Sequence, residues 1–441
     1  MATGINTHEK LSEDAIIAAR PHLDPYPLPA DNTEVRIDYA GKLLEKTILQ
    51  PISTDYCLID QQGELNSESI NLNSFVLSDN FFALHHLIQT GKKATLIYLD
   101  PPYGTGMEFQ SRDLEHSYKD TMGYAAYIEF MRRRFILIRE LLTEDGSLYV
   151  HIGHQMVAQL KAVLDEVFGI KNFRNIITRR KCSSKNFTKH QYSNIHDYIL
   201  FYTKSSSYKW NQPGIAPDDD WISKEYNKVD KKGRYKLVPV HAPGTRRGET
   251  GGMWKGMMPP PGKHWQYIPS KLDDFDAAGE IHWSKNGNPR RKVYLEKDKK
   301  VTMTDYWDMF RDAHHQSIMI TGYPTEKNLD MLKLIVSASS DENDLVIDPF
   351  CGSGTTLQAA LELNRKWIGI DQSFSAAKAT IKRLRYGLKP MGDYVGTKKE
   401  TSPNLFELNG IAAQAPCDFN FYIDSWLAES YPDKLLELAK I

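Results

Sequence analysis

Short apolar runs punctuate this chain, and amphipathic stretches follow several of them. Residues 95–99 (Thr-Leu-Ile-Tyr-Leu) form one such run, closed by Asp100 and two prolines; an unbroken apolar run of that length ending at proline reads as a buried strand. Beyond it, Tyr124, Tyr127, Ile128, Met131, Phe135, Ile138, Leu141 and Leu142 recur at steps of three and four, which predicts a helix covering a sheet. Asp145-Gly146 predicts a turn into a strand over residues 147–152. Residues 345–348 predict a second buried strand running into a glycine-rich turn, then a helix beginning near Thr355 and a further strand over residues 366–370. Strands alternating with covering helices imply an α/β fold on a doubly wound, parallel-rich sheet.

That pattern breaks from about residue 205 to residue 310. Polar turns, a Pro259-Pro260-Pro261-Gly262 stretch and six of the eight tryptophans (Trp210, Trp221, Trp254, Trp265, Trp283, Trp307) fall there. This is the texture of a loop-rich insertion with a small core of its own, in which most of the tryptophans pack. Upstream of residue 36 the sequence predicts a short helix over residues 12–19 and a proline-rich linker.

Composition narrows the class without choosing a function. A chain of 441 residues, 41% hydrophobic and 25% charged, has ordinary globular proportions and ample length to bury a core. Cys57, Cys182, Cys351 and Cys417 are widely spaced and form no C-x-x-C, which argues against a disulfide framework or a zinc ribbon. His85-His86, His151 with His154, and His314-His315 lack carboxylate or thiolate partners at metal spacing, so no metal site is expected. No signal-like or membrane-spanning stretch occurs, and a cytoplasmic protein is expected.

The most pointed chemistry lies in Asp100-Pro101-Pro102-Tyr103. Proline has no backbone N–H and a fixed φ, so the segment forms a stiff turn whose carbonyls can accept hydrogen bonds. An amine conjugated to a nucleobase is a poor nucleophile. Two acceptors, the Asp100 carboxylate and the Pro101 carbonyl, would localise its lone pair, with Tyr103 available to stack on the base. The second motif is Asp348-Pro349-Phe350-Cys351-Gly352-Ser353-Gly354-Thr355-Thr356, where glycines admit a ligand close to the backbone, with Asp371 and Gln372 at the end of the next strand. An acid in that place suits a ribose diol. The dinucleotide fingerprint wants a third glycine where Leu357 stands, which favours a nucleoside cofactor without phosphates, such as S-adenosyl-L-methionine.

With both motifs in place, the chain resembles the S-adenosyl-L-methionine-dependent DNA amino-methyltransferases, which methylate adenine N6 or cytosine N4. The Asp100 to Tyr103 segment matches that family's D/N/S-P-P-Y/F catalytic motif, and Phe350 to Gly354 its F-x-G-x-G cofactor motif. The catalytic motif comes first, the circularly permuted order of the β class, and aspartate at its head resembles adenine-specific members. The resemblance places Asp79 and Asn80 at the cofactor's adenine, Thr325 and Lys327 over its methionine end, and core strands around residues 175–181 and 196–202. It is similar in the insertion to type III Mod subunits and their solitary relatives. The implied domains are an extension (1–35), a catalytic half (36–204), an inserted target-recognition domain (205–310), a cofactor-binding half (311–390) and an acidic tail (391–441).

A net charge of −1 hides local contrast. Residues 171–190 hold seven Lys or Arg and no acid, and residues 285–300 hold seven against two acids, whereas residues 405–441 hold six acids and two lysines. Arg179, Arg180, Lys181, Lys185, Arg246, Arg247, Arg290 and Arg291 are the expected contacts to double-stranded DNA. Cytosine-N4 methylation and a non-catalytic DNA-binding subunit remain as alternatives. The resemblance implies a homodimer and allows a separate restriction subunit.

Overall fold

A computed structural model describes residues 35–59, 65–103, 108–110, 116–119, 123–182, 190, 192–312, 319–320, 326–387, 389–390 and 417–441. The helix expected over residues 12–19, Lys185 and Thr325 lie outside the described residues.

The central sheet has eleven strands. In chain order they are β1 (Tyr56–Ile59), β2 (Leu65–Ser67), β3 (Ser74–Leu77), β4 (Ala94–Leu99), β5 (Leu142–Ile152), β6 (Phe173–Arg180), β7 (His196–Thr203), β8 (Tyr306–Trp307), β9 (Leu345–Asp348), β10 (Lys366–Asp371) and β11 (Asn420–Asp424). In space they run β8-β6-β7-β5-β4-β9-β10-β3-β11-β1-β2. The stretch from β5 through β3 to β11 is parallel, and β7 pairs antiparallel with both β5 and β6.

Period-two alternation sends successive side chains to opposite faces, and both faces are covered, as parallel sheets require. Ile97, Leu99, Leu148, Val150, Ile347, Ile368 and Ile370 join a core with α1 (Asn80–Gln89), α2 (Tyr124–Leu141) and α3 (Val157–Phe168). Leu96, Tyr98, Tyr149, Val346 and Trp367 join the opposite core with α4 (Leu329–Ser339), α5 (Thr355–Glu362) and α6 (Phe374–Tyr386). The sheet is therefore doubly wound, as its apolar pattern predicts.

Three features depart from the expectations. Asp145-Gly146 does not turn between elements. Ala94 pairs with Leu142 and Leu96 with Ser147, so residues 143–146 bulge within one strand anchored by buried Leu142. The segment expected as an acidic tail supplies β11, wedged between β3 and β1, and two helices, the second of which sends Leu435 and Leu438 into the core. Its charge count masked the apolar run of Phe421, Tyr422 and Ile423. Finally, the insertion's last strand, β8, pairs with β6 and belongs to the main sheet. The rest of the insertion builds its own four-stranded sheet and a core of Val240, Trp254, Trp265, Leu272 and Ile281.

Arg179 corrects a further expectation. It is fully buried, donating to Asp197 Oδ2 (3.0 Å), Asp312 Oδ1 (2.8 Å) and the Phe310 carbonyl (2.7 Å), so it ties the sheet edge together and cannot reach DNA. Asp197 also lies 3.0 Å from His151 Nε2, and His151 Nδ1 is 2.8 Å from the Tyr98 hydroxyl. Removing one member of a buried pair strands the other charge. Asp197→Ala should lower the unfolding free energy by about 3–5 kcal/mol in a urea titration; a loss below about 1 kcal/mol, the range of an exposed pair, would contradict this reading.

Candidate functional site

Asp100, Asp348 and Asp371 stand at the carboxyl ends of three adjacent parallel strands, β4, β9 and β10. β4 leads towards α2 on one face and β9 towards α5 on the other. Their ends therefore flank a topological switch point, the crevice in which open α/β sheets bind ligands. Register sets the meeting: Ile97 lies opposite Ile347, which carries Asp100 just beyond Asp348. A narrow cleft of about 30 Å³ opens there, and its lining includes Tyr98, Asp100, Lys327, Asp348, Phe350 and Gly352.

The glycine turn is held from several sides. The Phe350 N–H donates to Asp348 Oδ1 (3.0 Å) and the Gly352 N–H to Asp371 Oδ2 (3.0 Å), so two strand-end carboxylates shape it. Gly354 has φ of 75°, and a Cβ on it would lie 3.0 Å from the Thr380 side chain. Only glycine meets both conditions comfortably. The position that a dinucleotide site gives to glycine is filled by Leu357, accommodated because Gly369 on β10 has no Cβ, which would meet Leu357 at 2.4 Å.

Arg383 locks this turn. Its guanidinium donates to the Ser353 carbonyl (2.9 Å), Thr355 Oγ1 (2.7 Å), Gln358 Oε1 (2.7 Å) and Glu326 Oε1 (2.7 Å), and Arg383 and Glu326 are both about 1% exposed at the side chain. Sequence reasoning missed Arg383. Its signal was present, since it continues the helical stripe of Ala376 and Thr380 on α6.

The proline turn is equally constrained. The Tyr127 hydroxyl donates to the Pro102 carbonyl at 2.5 Å, and Pro101 is buried. Tyr103 folds back: its hydroxyl donates to Asp100 Oδ1 at 3.0 Å, and its ring packs where a Cβ on Gly153 would come within 3.0 Å. The other Asp100 oxygen, Oδ2, accepts from Lys327 Nζ at 2.8 Å, and Lys327 also reaches the Tyr103 hydroxyl at 3.3 Å.

Other expected residues are partly gathered in. Asn80 Nδ2 donates to the Pro349 carbonyl at 2.7 Å, joining α1 to the glycine turn. Asp79 caps α1 through the Phe81 N–H and pairs with Arg134 at 2.9 Å, while Arg134 also donates to Asn80. Thr356 lines the cleft, whereas Gln372 is exposed. Arg180 and Lys181 are half-buried at the sheet edge. Arg246, Arg247 and Arg290 are exposed on the insertion. Arg291 instead stacks on Phe275 (4.0 Å) and donates to the Tyr267 hydroxyl (2.8 Å), a packing role rather than a free phosphate contact. Among the described residues no cluster of His, Cys, Asp and Glu is arranged to hold a metal ion.

Burial sets the protonation of this cleft. Desolvation raises the Asp348 carboxyl to about 7 and Asp371 to about 6, the latter against backbone N–H groups that favour its charge. Burial also pushes the Cys351 thiol far above its ordinary value, so a neutral thiol, not a nucleophilic thiolate, lines the turn. Because the ordinary aspartate value of 3.8 lies below the folded values, the folded protein retains protons that the unfolded chain releases. The associated stabilisation is full below the ordinary value and is lost as pH rises to about 7. Asp348→Asn should therefore narrow the difference in melting temperature between pH 5 and pH 8; an unchanged difference would contradict it.

A DNA methylase family model matches residues 94–382. The type II methyltransferase M.EcaI of Enterobacter cloacae is 56% identical, covering 100% of this chain and 98% of its own. The Mod subunit of the type III restriction-modification enzyme StyLTI from Salmonella typhimurium is 26% identical over 75% of this chain and 56% of its own length. Among solved structures, the complex of M1.HpyAVI with SAM is 16% identical and covers 70% of this chain and 98% of that one, with a TM-score of 0.38. By the family match and the full-length relative, the chain belongs to the DNA methylase family, which methylates DNA with S-adenosyl-L-methionine as the methyl donor.

Proposed function

We propose that the enzyme methylates the exocyclic N6 of adenine at a specific sequence in double-stranded DNA, drawing the base out of the helix into the cleft between Asp100 and Asp348. The observation that carries this reading is the placement of Asp100 on the proline turn beside the glycine turn, at one switch point. Extrusion of a base costs a few kcal/mol, which DNA contacts must offset.

The cleft suits the donor chemically. In this reading Asp371 takes the ribose diol and Asp79 and Asn80 the adenine, and the positive-φ glycines let a ligand approach the backbone. Asp348 through Thr356 form the wall, and Lys327 pairs with Asp100. S-adenosyl-L-methionine supplies an electrophilic methyl group. Asp100 and the Pro101 carbonyl accept from the target amine and localise its lone pair, and Asp100 then takes the proton released after transfer. Tyr103, leaving Asp100, stacks on the base. No thiolate takes part.

On the DNA side, Arg246, Arg247 and Arg290 are the candidate phosphate or base contacts, with Arg180 and Lys181 at the sheet edge and Lys185 in the same basic run. Arg290 borders a groove of the insertion with His241, Met258, His282, Ser284 and Asn288, side chains able to read base edges. A homodimer, a separate restriction subunit and a cytoplasmic site of action belong to this same reading. Cytosine-N4 transfer is the second reading, since both amines suit an Asp100 acceptor. A silent subunit is disfavoured by the presence of Asp100, Gly352 and Gly354 together.

Two variants separate the halves of the site. With labelled donor and genomic DNA, followed by modified-nucleoside analysis, the wild-type protein should yield N6-methyladenine. Asp100→Ala should lose at least about a hundredfold in turnover while keeping donor affinity within a few-fold; retained turnover would sink the assignment, and N4-methylcytosine would shift it to the second reading. Gly354→Val should weaken calorimetric binding of the donor by more than about tenfold, because strain and the Thr380 contact deform the turn. Unaltered binding would count against the pocket.

A further inference from the structure

The Lys327 ammonium sits on the Asp100 carboxylate, the acceptor that the reaction needs for another amine. The Asp100 carboxylate has two oxygens, and each has a partner: Tyr103 donates to Oδ1 at 3.0 Å, and Lys327 Nζ donates to Oδ2 at 2.8 Å. Lys327 Nζ also lies 3.3 Å from the Tyr103 hydroxyl, so one ammonium holds both groups that the target base would engage. The contact is sheltered, with side-chain exposures of 11% for Lys327 and 17% for Asp100. A nitrogen donating to a carboxylate is what the target amine would itself present there.

The backbone beneath Lys327 is anchored while its side chain spans the cleft. Glu326 is fixed by Arg383, and Arg383 holds Ser353 and Thr355 of the glycine turn. Lys327 lines the same cleft as Phe350, Gly352 and Ser353. Asp100, Asp348 and Glu326 make this lining acidic, and the donor brings an α-carboxylate of its own, which needs a cation. Lys327 reaches Asp100 from this anchored base.

We propose that Lys327 is a positioning residue that imposes an order of binding. In the donor-free protein it caps Asp100 and bars the target amine. The donor's α-carboxylate then draws the ammonium away, freeing Oδ2 and Tyr103 for the base. This inference rests on the assignment of Asp100 as the amine acceptor. A device of this kind works by population shift, since a competent state that is rarely populated binds its ligand more weakly by that fraction.

The test uses the full-length protein, sinefungin as a non-transferring donor analogue that keeps the carboxylate, 5′-methylthioadenosine as one that lacks it, and a duplex carrying 2-aminopurine beside the mapped target adenine. With the wild-type protein, 2-aminopurine fluorescence should rise on adding sinefungin and stay low with 5′-methylthioadenosine or with neither. Lys327→Met should show the rise without any analogue. It should also bind sinefungin about tenfold more weakly, the scale of one charged hydrogen bond, with 5′-methylthioadenosine unchanged. Lys327→Arg, which keeps the charge, should retain the dependence, and circular dichroism checks that each variant is folded. Equal wild-type fluorescence with and without sinefungin, or undiminished dependence in Lys327→Met, overturns the proposal. If Asp100→Ala still methylates DNA, the underlying assignment fails instead, and the two failures are distinguishable.

Discussion

The parallel pairing of β4 with β9 is the constraint on which the rest of the structure depends. These strands are separated in sequence by α2, α3, three further strands, the whole insertion and α4, yet they lie side by side with Ile97 opposite Ile347. Both are buried on two faces, so a one-residue slip would exchange the residues facing each core. The entropy of closing so long a loop grows only slowly with its length. The apolar faces of β4 and β9 repay it, and the correct register delivers Asp100 and Asp348 to one crevice.

Charge placement follows from that geometry. Asp348 and Asp371 are forced into poorly solvated positions at the strand ends, where backbone N–H groups and the Thr356 hydroxyl partly offset the cost of their charge. Lys327 and Arg383, from elements outside β4 and β9, pair instead with Asp100 and Glu326. Arg383 is buried and makes five hydrogen bonds to four residues, Ser353, Thr355, Gln358 and Glu326, an arrangement that preorganises the turn rather than leaving it to form around a ligand. Arg134 does the same on the other side, linking Asp79, Asn80 and, through Asn80, the Pro349 carbonyl.

Much of this was legible in the sequence because it is carried by short, local patterns. The runs before Asp100 and Asp348 read as strands, α2 was visible in the spacing of Tyr127 to Leu141, and the start of α5 at Thr355 followed from the glycine turn. What stayed hidden depends on distant partners. The basic run containing Arg179 looked like a DNA-facing surface, but Asp197 and Asp312 come from other parts of the chain and turn it inward. The acidic count over residues 405–441 concealed β11, whose apolar run spans only three residues and gains meaning from β3 and β1 beside it. Arg383 and the Lys327 contact with Asp100 likewise require knowing which segments meet. Charge alone does not say whether a residue faces solvent.

The most direct measurement is a structure of the protein with sinefungin and a duplex containing its methylation site. The account predicts an extruded adenine in the cleft between β4 and β9, with N6 about 3 Å from Asp100 and from the Pro101 carbonyl, and Asp371 against the ribose of the analogue. An adenine left stacked in a duplex bound elsewhere, or an analogue seated away from the glycine turn, would contradict it.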